Sequence, residues 1–276
     1  MAFALSLAGA QDKLPVYVDG EVLWLPTGSA PSSHILKFDN RDFKHLPANE
    51  LMILRLATAV GLPAVPGTLR RFGKATALLV ERYDRVERSG ALQRLHQEDL
   101  CQALGYPAER KYQTEGGPGL ARCMEIVRRH SSDPLVDSLL LIRWQLFNAV
   151  VGNADGHAKN LALLHGATGT RLAPFYDLVC TRAYPRLDRR LAMHIGTSAD
   201  PDALRRADWA AAAADLGVGE RFLRDTAREM ISAVRDALEP TRRSVEREFG
   251  RNDFLRSSVA PAIGAATRRL TMSLRG

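Results

Sequence analysis

Residues Pro134 to Val151 read as one long, mostly apolar helix, and the chain turns polar immediately after it. A helix that is apolar around most of its circumference has to lie in the middle of its unit, so the neighbouring elements must wrap it. The segment that follows, Val151-Gly152-Asn153-Ala154-Asp155-Gly156-His157-Ala158-Lys159-Asn160, packs two carboxamides, a carboxylate, an imidazole and an ammonium into ten residues. A core has no use for such a group, because buried polar atoms cost free energy unless each finds a partner. A polar loop mounted on a buried element is a usual support for an active site. Asp155 and Asn160 stand in the order D-x-x-x-x-N, the spacing of a protein-kinase catalytic loop with Asp as base and Asn as metal ligand. That spacing also arises by chance, so the other parts of a phosphoryl-transfer site have to be found elsewhere in the chain.

The first hundred residues are strand-rich. Leu14–Val18 and Glu21–Leu25 flank Asp19-Gly20, a primed-turn hairpin signal, and His34–Phe38 is a further short strand. Asn49–Ala57 is helical in propensity and stops at Gly61 with Pro63 beyond. Pro66–Arg71 and Thr76–Tyr83 read as two more strands around Phe72-Gly73-Lys74. From His96 the pattern turns helical: Gln97–Leu104, Leu120–His130 and Pro134–Val151, then a short hairpin of Leu161–Leu164 with Arg171–Pro174. Amphipathic helices follow at Arg205–Leu216, Glu220–Leu238 and Val245–Phe249, with another near the C-terminus. The expectation is an α+β, two-lobed, protein-kinase-like fold, with a β-rich N-lobe over residues 1–85 and an α-helical C-lobe over 86–276.

Bulk properties narrow the chemistry. A hydrophobic fraction of 46% and a charged fraction of 25% are those of a globular rather than a disordered chain. No uninterrupted apolar run reaches bilayer length, and the N-terminus has no basic region ahead of its apolar stretch, so neither a membrane span nor a signal peptide is expected. Cys101, Cys123 and Cys180 are odd in number and widely spaced, which fits reduced thiols in a cytoplasmic protein better than a disulfide framework. The net charge of +7 favours acidic partners such as nucleotide phosphates. No zinc-finger spacing or aromatic RNA-binding signature accompanies it, so direct DNA reading by this chain is not expected.

A phosphoryl-transfer site needs a phosphate cradle, a lysine, metal carboxylates and a base. Ser6-Leu7-Ala8-Gly9-Ala10-Gln11-Asp12-Lys13 is a small-residue loop whose backbone amides can face a phosphate, although it is neither a Walker A sequence nor G-x-G-x-x-G. Lys37 interrupts an apolar strand, where an unpaired ammonium is costly, so it points either to solvent from an edge strand or into a cleft. Glu50 either pairs with it or simply complements a helix dipole. Glu81-Arg82-Tyr83 offers extended backbone to an adenine, with Tyr83 over a ring face. Tyr176-Asp177 places an acidic group beside aromatics, as D-F-G does, though without the glycine. Mg²⁺ takes one or two protein ligands plus phosphate oxygens, which suits Asn160 and Asp177 and leaves Asp155 as base. His157 has one other histidine nearby, His165, and no H-E-x-x-H or C-x-x-C accompanies it, so zinc hydrolase chemistry fits poorly. Lys159 either neutralises phosphate charge or pairs with Asp155.

The segments SLAGAQDK, HILKF, VERYDR, RLHQEDLCQALGYP, KYQTEGGPG, NADGHAKN and APFYDL, in that order, resemble the HipA-like serine/threonine kinases, toxins of bacterial HipBA-type toxin–antitoxin systems. The resemblance implies an ATP- and Mg²⁺-dependent protein kinase. It assigns Asp155 as catalytic base and Asn160 and Asp177 as metal ligands. Phosphates fall to Ala8, Gly9, Ala10, Gln11, Asp12, Lys13 and Lys37, and adenine to Glu81, Arg82 and Tyr83. His157, Ala158, Lys159 and Tyr176 line the nucleotide site. Ser6 matches the family's autophosphorylated serine, whose modification switches the enzyme off by adding about −1.5 to −2 charge beside a phosphate site. The implied substrates are aminoacyl-tRNA synthetases, whose phosphorylation inhibits translation and supports persistence. The implied partner is a HipB-like helix-turn-helix antitoxin, with DNA met only through it.

One departure is large. Family members carry an N-terminal subdomain of about a hundred residues ahead of the phosphate loop, whereas here the loop begins at Ser6. This is similar to the minimal HipT-type kinases of three-component systems, in which a small third protein supplies that part. Two rivals remain at this level: a small-molecule phosphotransferase, and a catalytically dead antitoxin-binding module.

Overall fold

Asp19-Gly20 reverses the chain because Gly20 adopts φ +57, the left-handed conformation that a primed hairpin turn requires. The turn joins β1 (Lys13–Asp19) to β2 (Val22–Trp24). The computed structural model describes residues 11–275 and continues with β3 (His34–Phe38), β4 (Gly67–Phe72) and β5 (Ala75–Glu81). These form one antiparallel sheet in the order β2-β1-β3-β5-β4. β3 is therefore a central strand, with Lys37 opposite Lys13 on one side and Leu78 on the other. Helix α1 (Leu46–Ala59) packs on the sheet and begins three residues before the expected Asn49. Pro47 fits its first turn, where a backbone N–H would have no intrahelical partner.

Two expectations fail between residues 85 and 104. β6 (Arg85–Arg88) and β7 (Ala91–Arg94) form a hairpin that the sequence reading missed, turning at Ser89-Gly90 with positive φ at both residues. Half of its residues are charged and most are exposed, so no clear apolar alternation marks them. Gln97–Leu104, expected as a helix, is divided. β8 (His96–Asp99) is a strand, and only α2 (Leu100–Ala103) is helical, capped by Asp99 and Gln102. Pairing with β9 (Ala162–Gly166) overrides the local helical propensity, since pairing and packing outweigh a weak intrinsic preference. With β10 (Gly169–Leu172) these strands build a second sheet, β10-β9-β8, within the otherwise helical lobe.

Helices α3 (Leu120–His130) and α4 (Pro134–Val151) start and stop where the sequence predicts. The Asp133 side chain accepts from Val136 N–H at the start of α4, and Gly152 ends it at φ +71. Trp144 and Phe147 of α4 are fully buried, and the helix packs on α3, α6 (Glu220–Phe249) and α7 (Ala260–Ser273). By length and composition α4 is apolar enough to be considered for a membrane, but 67% of it is buried inside the protein. Helix α5 (Arg206–Leu216) packs on α6.

The two helices expected at Glu220–Leu238 and Val245–Phe249 are one 30-residue helix that runs through Pro240. A proline removes a single backbone bond. Ion pairs across the next turns hold the second half, with Arg242 bonded to Glu239 and Glu246 at 2.5 Å each and Arg256 to Glu246 at 2.6 Å. Much of the basic charge at this end is therefore paired within the fold. The three cysteines are free and buried. The result is a two-lobed kinase-like α+β fold, as expected.

Leu51 of α1 is fully buried, so Leu51→Ala should destabilise the protein by about 2–5 kcal/mol. Urea unfolding with an unchanged midpoint would contradict the packing described.

Candidate active site

Lys37 lies on β3, the central strand of the sheet, and is 4% exposed, which removes the edge-strand alternative. Its Nζ donates to Glu50 Oε1 at 2.5 Å and also to Asp177 Oδ1. Lys13, the register partner of Lys37, approaches Asp177 Oδ2 at 3.5 Å. Glu50 is thus an ion-pair partner rather than a dipole complement. Burial alone would lower the Lys37 pKa, but Asp177 and then Glu50 outweigh it and hold the ammonium charged beyond the usual lysine range. Burial would raise Asp177, yet Lys37 and then Lys13 keep its carboxylate well below the usual range. At Glu50 the balance reverses, and burial raises the carboxyl despite Lys37.

Asp177 is held at φ +52, a left-handed conformation that Asp tolerates better than most residues. The chain on both sides is fixed. Phe175 bonds the linker after α1, accepting from Val65 N–H at 3.0 Å and donating to Pro63 O at 2.7 Å. Asn49 of α1 holds Cys180 through two bonds of 3.0 Å, its carboxamide N donating to the Cys180 carbonyl and its oxygen accepting from the Cys180 N–H.

The loop after α4 is tied to the same segment. Thr181 Oγ1 donates to Gly152 O at 2.9 Å and accepts from Ala154 N–H at 2.8 Å. Asn153 Oδ1 accepts from Asp155 N–H at 3.1 Å, while its Nδ2 donates to Asn148 Oδ1 at 2.9 Å. Glycine is required twice here. A Cβ on Gly152 would lie 2.6 Å from Arg182, and one on Gly156 would lie 2.8 Å from Asn148. Tyr112 Oη donates to Asp155 Oδ1 at 2.5 Å, and His157 Nε2 lies 3.5 Å from the same oxygen. Burial, only partly offset by Asp155, lowers the His157 pKa to about 4, so its imidazole is neutral near pH 7. A cleft of about 310 Å³ is lined by Gln11, Glu50, Asn153, Asp155, Asp177 and Thr181. A roomier, mainly apolar cavity beside Trp209 holds none of these carboxylates, so the chemistry belongs to the smaller cleft.

Tyr83 and Tyr176 stack with centroids 5.5 Å apart and planes at 23°. Tyr83 Oη donates to Gln97 on β8, and Tyr176 Oη donates to the Lys159 carbonyl at 2.9 Å. Arg82 N–H donates to Ser33 O at 3.0 Å, and its guanidinium is taken by Asp84 at 2.9 and 3.0 Å. Glu81 is exposed at the end of β5, and Ala158 is buried. Gln11 Nε2 donates to Phe38 O at 2.9 Å, and the Asp12 carbonyl accepts from Phe38 N–H at 3.0 Å. Asn160 is buried, its Oδ1 accepts from His157 N–H at 3.4 Å, and it does not line the cleft. Ser6, Ala8, Gly9 and Ala10 lie outside the described residues. The sequence reading gave no role to Tyr112, Asn49 or Thr181. Each acts across 27 to 131 residues of chain, a range over which spacing gives no signal.

Comparison with known proteins gives a consistent set. The model of the HipA-like C-terminal domain matches residues 5–238. The Sinorhizobium fredii protein Y4mE, named as a kinase, is 42% identical over 236 residues, covering 85% of this chain and 56% of its own length. The serine/threonine-protein kinase toxin HipA of Shewanella oneidensis is 33% identical over 233 residues, covering 79% of this chain and 53% of its own. The solved Shewanella oneidensis complex of HipA, HipB and operator DNA aligns with a TM-score of 0.84 at 28% identity, covering 99% of this chain and 65% of that one. The chain thus spans about half the length of the curated relatives it matches.

The buried, neutral His157 generates a pH prediction. Between about pH 6.5 and 4 the unfolded chain protonates this histidine while the folded protein does not, so stability falls as pH falls across that window. The loss attributable to His157 is about 3 kcal/mol. In the difference between wild type and His157→Gln, urea stability should show a slope confined to pH 4–6.5, and parallel curves would contradict it.

Proposed function

The chain belongs to the HipA-like kinase family, and from that premise we propose that it is an ATP-dependent serine/threonine-protein kinase acting as the toxin of a type II toxin–antitoxin system. The observation that carries the proposal is the placement of Asp155, Asp177 and Glu50 on one cleft, with Lys37 buried between the last two. A lysine held by two carboxylates, one of them firmly ionised, is a stored pair of charges that a phosphate and a divalent cation can each take over. The donor set fits Mg²⁺, which takes one or two carboxylate or carboxamide oxygens and completes its shell with phosphate oxygens and water. Asp177 would be one ligand, and Asn160 the other once its Oδ1 leaves the His157 N–H.

Bound ATP supplies the phosphoryl group and Mg²⁺ offsets its charge. The chain's own residues supply position and proton transfer. Asp155 would accept the proton of a Ser or Thr hydroxyl, with its carboxylate oriented by the Tyr112 hydroxyl. Lys37 would release a carboxylate to hold phosphate oxygens, joined by Lys13 and the loop at Ala8–Asp12. The Glu81–Tyr83 strand end and the Tyr83–Tyr176 stack would seat the adenine between lobes of residues 1–85 and 86–276. His157, Ala158 and Lys159 would form the floor.

By likeness to the Shewanella relatives, the partner would be a HipB-like antitoxin that brings DNA with it, and the protein would act in the cytoplasm. The substrate would be a translation component such as an aminoacyl-tRNA synthetase. Autophosphorylation of Ser6 would place a doubly charged group where ATP phosphates belong and switch the enzyme off.

Asp155→Gln should lower labelled-phosphate transfer to proteins of a cell lysate by roughly 10²–10⁴-fold while leaving the unfolding midpoint near wild type. Undiminished transfer by that variant would refute the proposal. After incubation with ATP and Mg²⁺, intact-mass analysis should find one phosphate that is absent from Ser6→Ala. A phosphate retained in that variant would refute the switch.

A further inference from the structure

A cluster of side chains able to hold a metal ion lies outside the cleft of Asp155 and Asp177, on the three-stranded sheet β10-β9-β8. β8 presents His96 and Glu98, two residues apart and so on one face, while β9 places His165 directly opposite His96. The ligand-capable atoms of these three residues lie within 4.8 Å of one another. The two imidazoles stack at 5.0 Å, and His165 Nε2 is 3.4 Å from Glu98 Oε2.

The detail at His165 points to a cation. Its Nδ1 is engaged by Thr170 Oγ1 at 3.0 Å, whereas its Nε2 is buried and has no hydrogen-bond partner. When Nδ1–H donates to Thr170, the Nε2 lone pair faces a carboxylate, and two acceptors in that position repel unless a positive charge lies between them. A nitrogen and an oxygen bound tetrahedrally to one Zn²⁺, at about 2.0–2.2 Å each, stand about 3.4 Å apart. The observed separation is that of ligands around a shared ion. Thr170 holds the ring at Nδ1, as a second-layer hydrogen bond does in metal sites, and in the tautomer whose Nδ1–H donates to it the Nε2 lone pair is free to bind an ion. The exposed His96 ring offers the third donor within 4.8 Å of the other two.

We infer that His96, Glu98 and His165 form a binding site for a zinc-class divalent cation, distinct from the Mg²⁺ of the kinase cleft. Two imidazoles and a carboxylate suit Zn²⁺, which prefers nitrogen donors far more than Mg²⁺ does. Water completes a fourth position. The ion joins β8 to β9 on one face of the sheet. Gln97, between two of the ligands, points to the other face and accepts the Tyr83 hydroxyl. The cation therefore clamps the strand that anchors the Tyr83–Tyr176 stack.

The test is titration of the metal-stripped protein, without nucleotide, with Zn²⁺ against a chromophoric chelator. Wild type should bind one Zn²⁺ per chain in the presence of millimolar Mg²⁺ and should gain thermal stability on doing so. His165→Ala and His96→Gln should each weaken binding at least tenfold, and Thr170→Val should weaken it less. The His96 side chain is exposed, so its substitution leaves folding intact and keeps the test valid if His165→Ala unfolds. Zn²⁺ affinity unchanged in His96→Gln, competition by millimolar Mg²⁺, or no Zn²⁺ binding by wild type would each overturn the inference.

Discussion

The site depends on one buried ammonium. Lys37 is buried on the central strand of a sheet, where an unpaired charge would cost several kcal/mol. Two carboxylates from distant parts of the chain meet it there: Glu50 from the helix on the sheet and Asp177 from beyond the β9–β10 hairpin. Folding of the strand-rich lobe and docking of the helical lobe are therefore coupled through a single group. The arrangement also keeps an ammonium and an ionised carboxylate paired in a largely buried place.

The second requirement is a rigid mount for Asp155. Helix α4 is buried along most of its length and ends at a glycine in a left-handed conformation, so the polar loop begins from a fixed point. Thr181 then ties that loop to the segment that carries Asp177, and Asn49 ties the same segment to α1. Asp155 and Asp177 consequently share a frame although 22 positions separate them. Neutral His157 packs beside Asp155 without competing for its charge, because burial removes the proton that would make an ion pair.

Much of this was legible from residues alone. The helix α4, the loop after it, the strand around Lys37 and the hairpins before residue 85 all follow from local patterning, since each is fixed by its own alternation, caps or turn glycine. What failed has a common cause. The β6–β7 hairpin is short, half charged and mostly exposed, and so lacks an apolar period. β8 is a strand because β9 pairs with it from 63 to 69 positions away, and the long α6 survives Pro240 because ion pairs of Arg242 with Glu239 and Glu246 hold the next turns. Tyr112, Asn49 and Thr181 escaped notice for the same reason, as their partners are brought to them by the fold. His165 likewise meets His96 and Glu98 through the β8–β9 pairing rather than through spacing along the chain. Asn160 is the one predicted ligand whose resting hydrogen bond points away from the role assigned to it.

In the proposed reaction Asp177, an ionised carboxylate beside Lys37, would exchange that ammonium for a cation. The direct measurement is the affinity for ATP with and without Mg²⁺, by calorimetry, in wild type and in Asp177→Asn. Wild type should bind ATP substantially more tightly when Mg²⁺ is present, and the variant should lose that gain while retaining weaker, Mg²⁺-independent binding through Lys37. An equal gain from Mg²⁺ in both proteins would contradict the claim that Asp177 and Lys37 together form the nucleotide site.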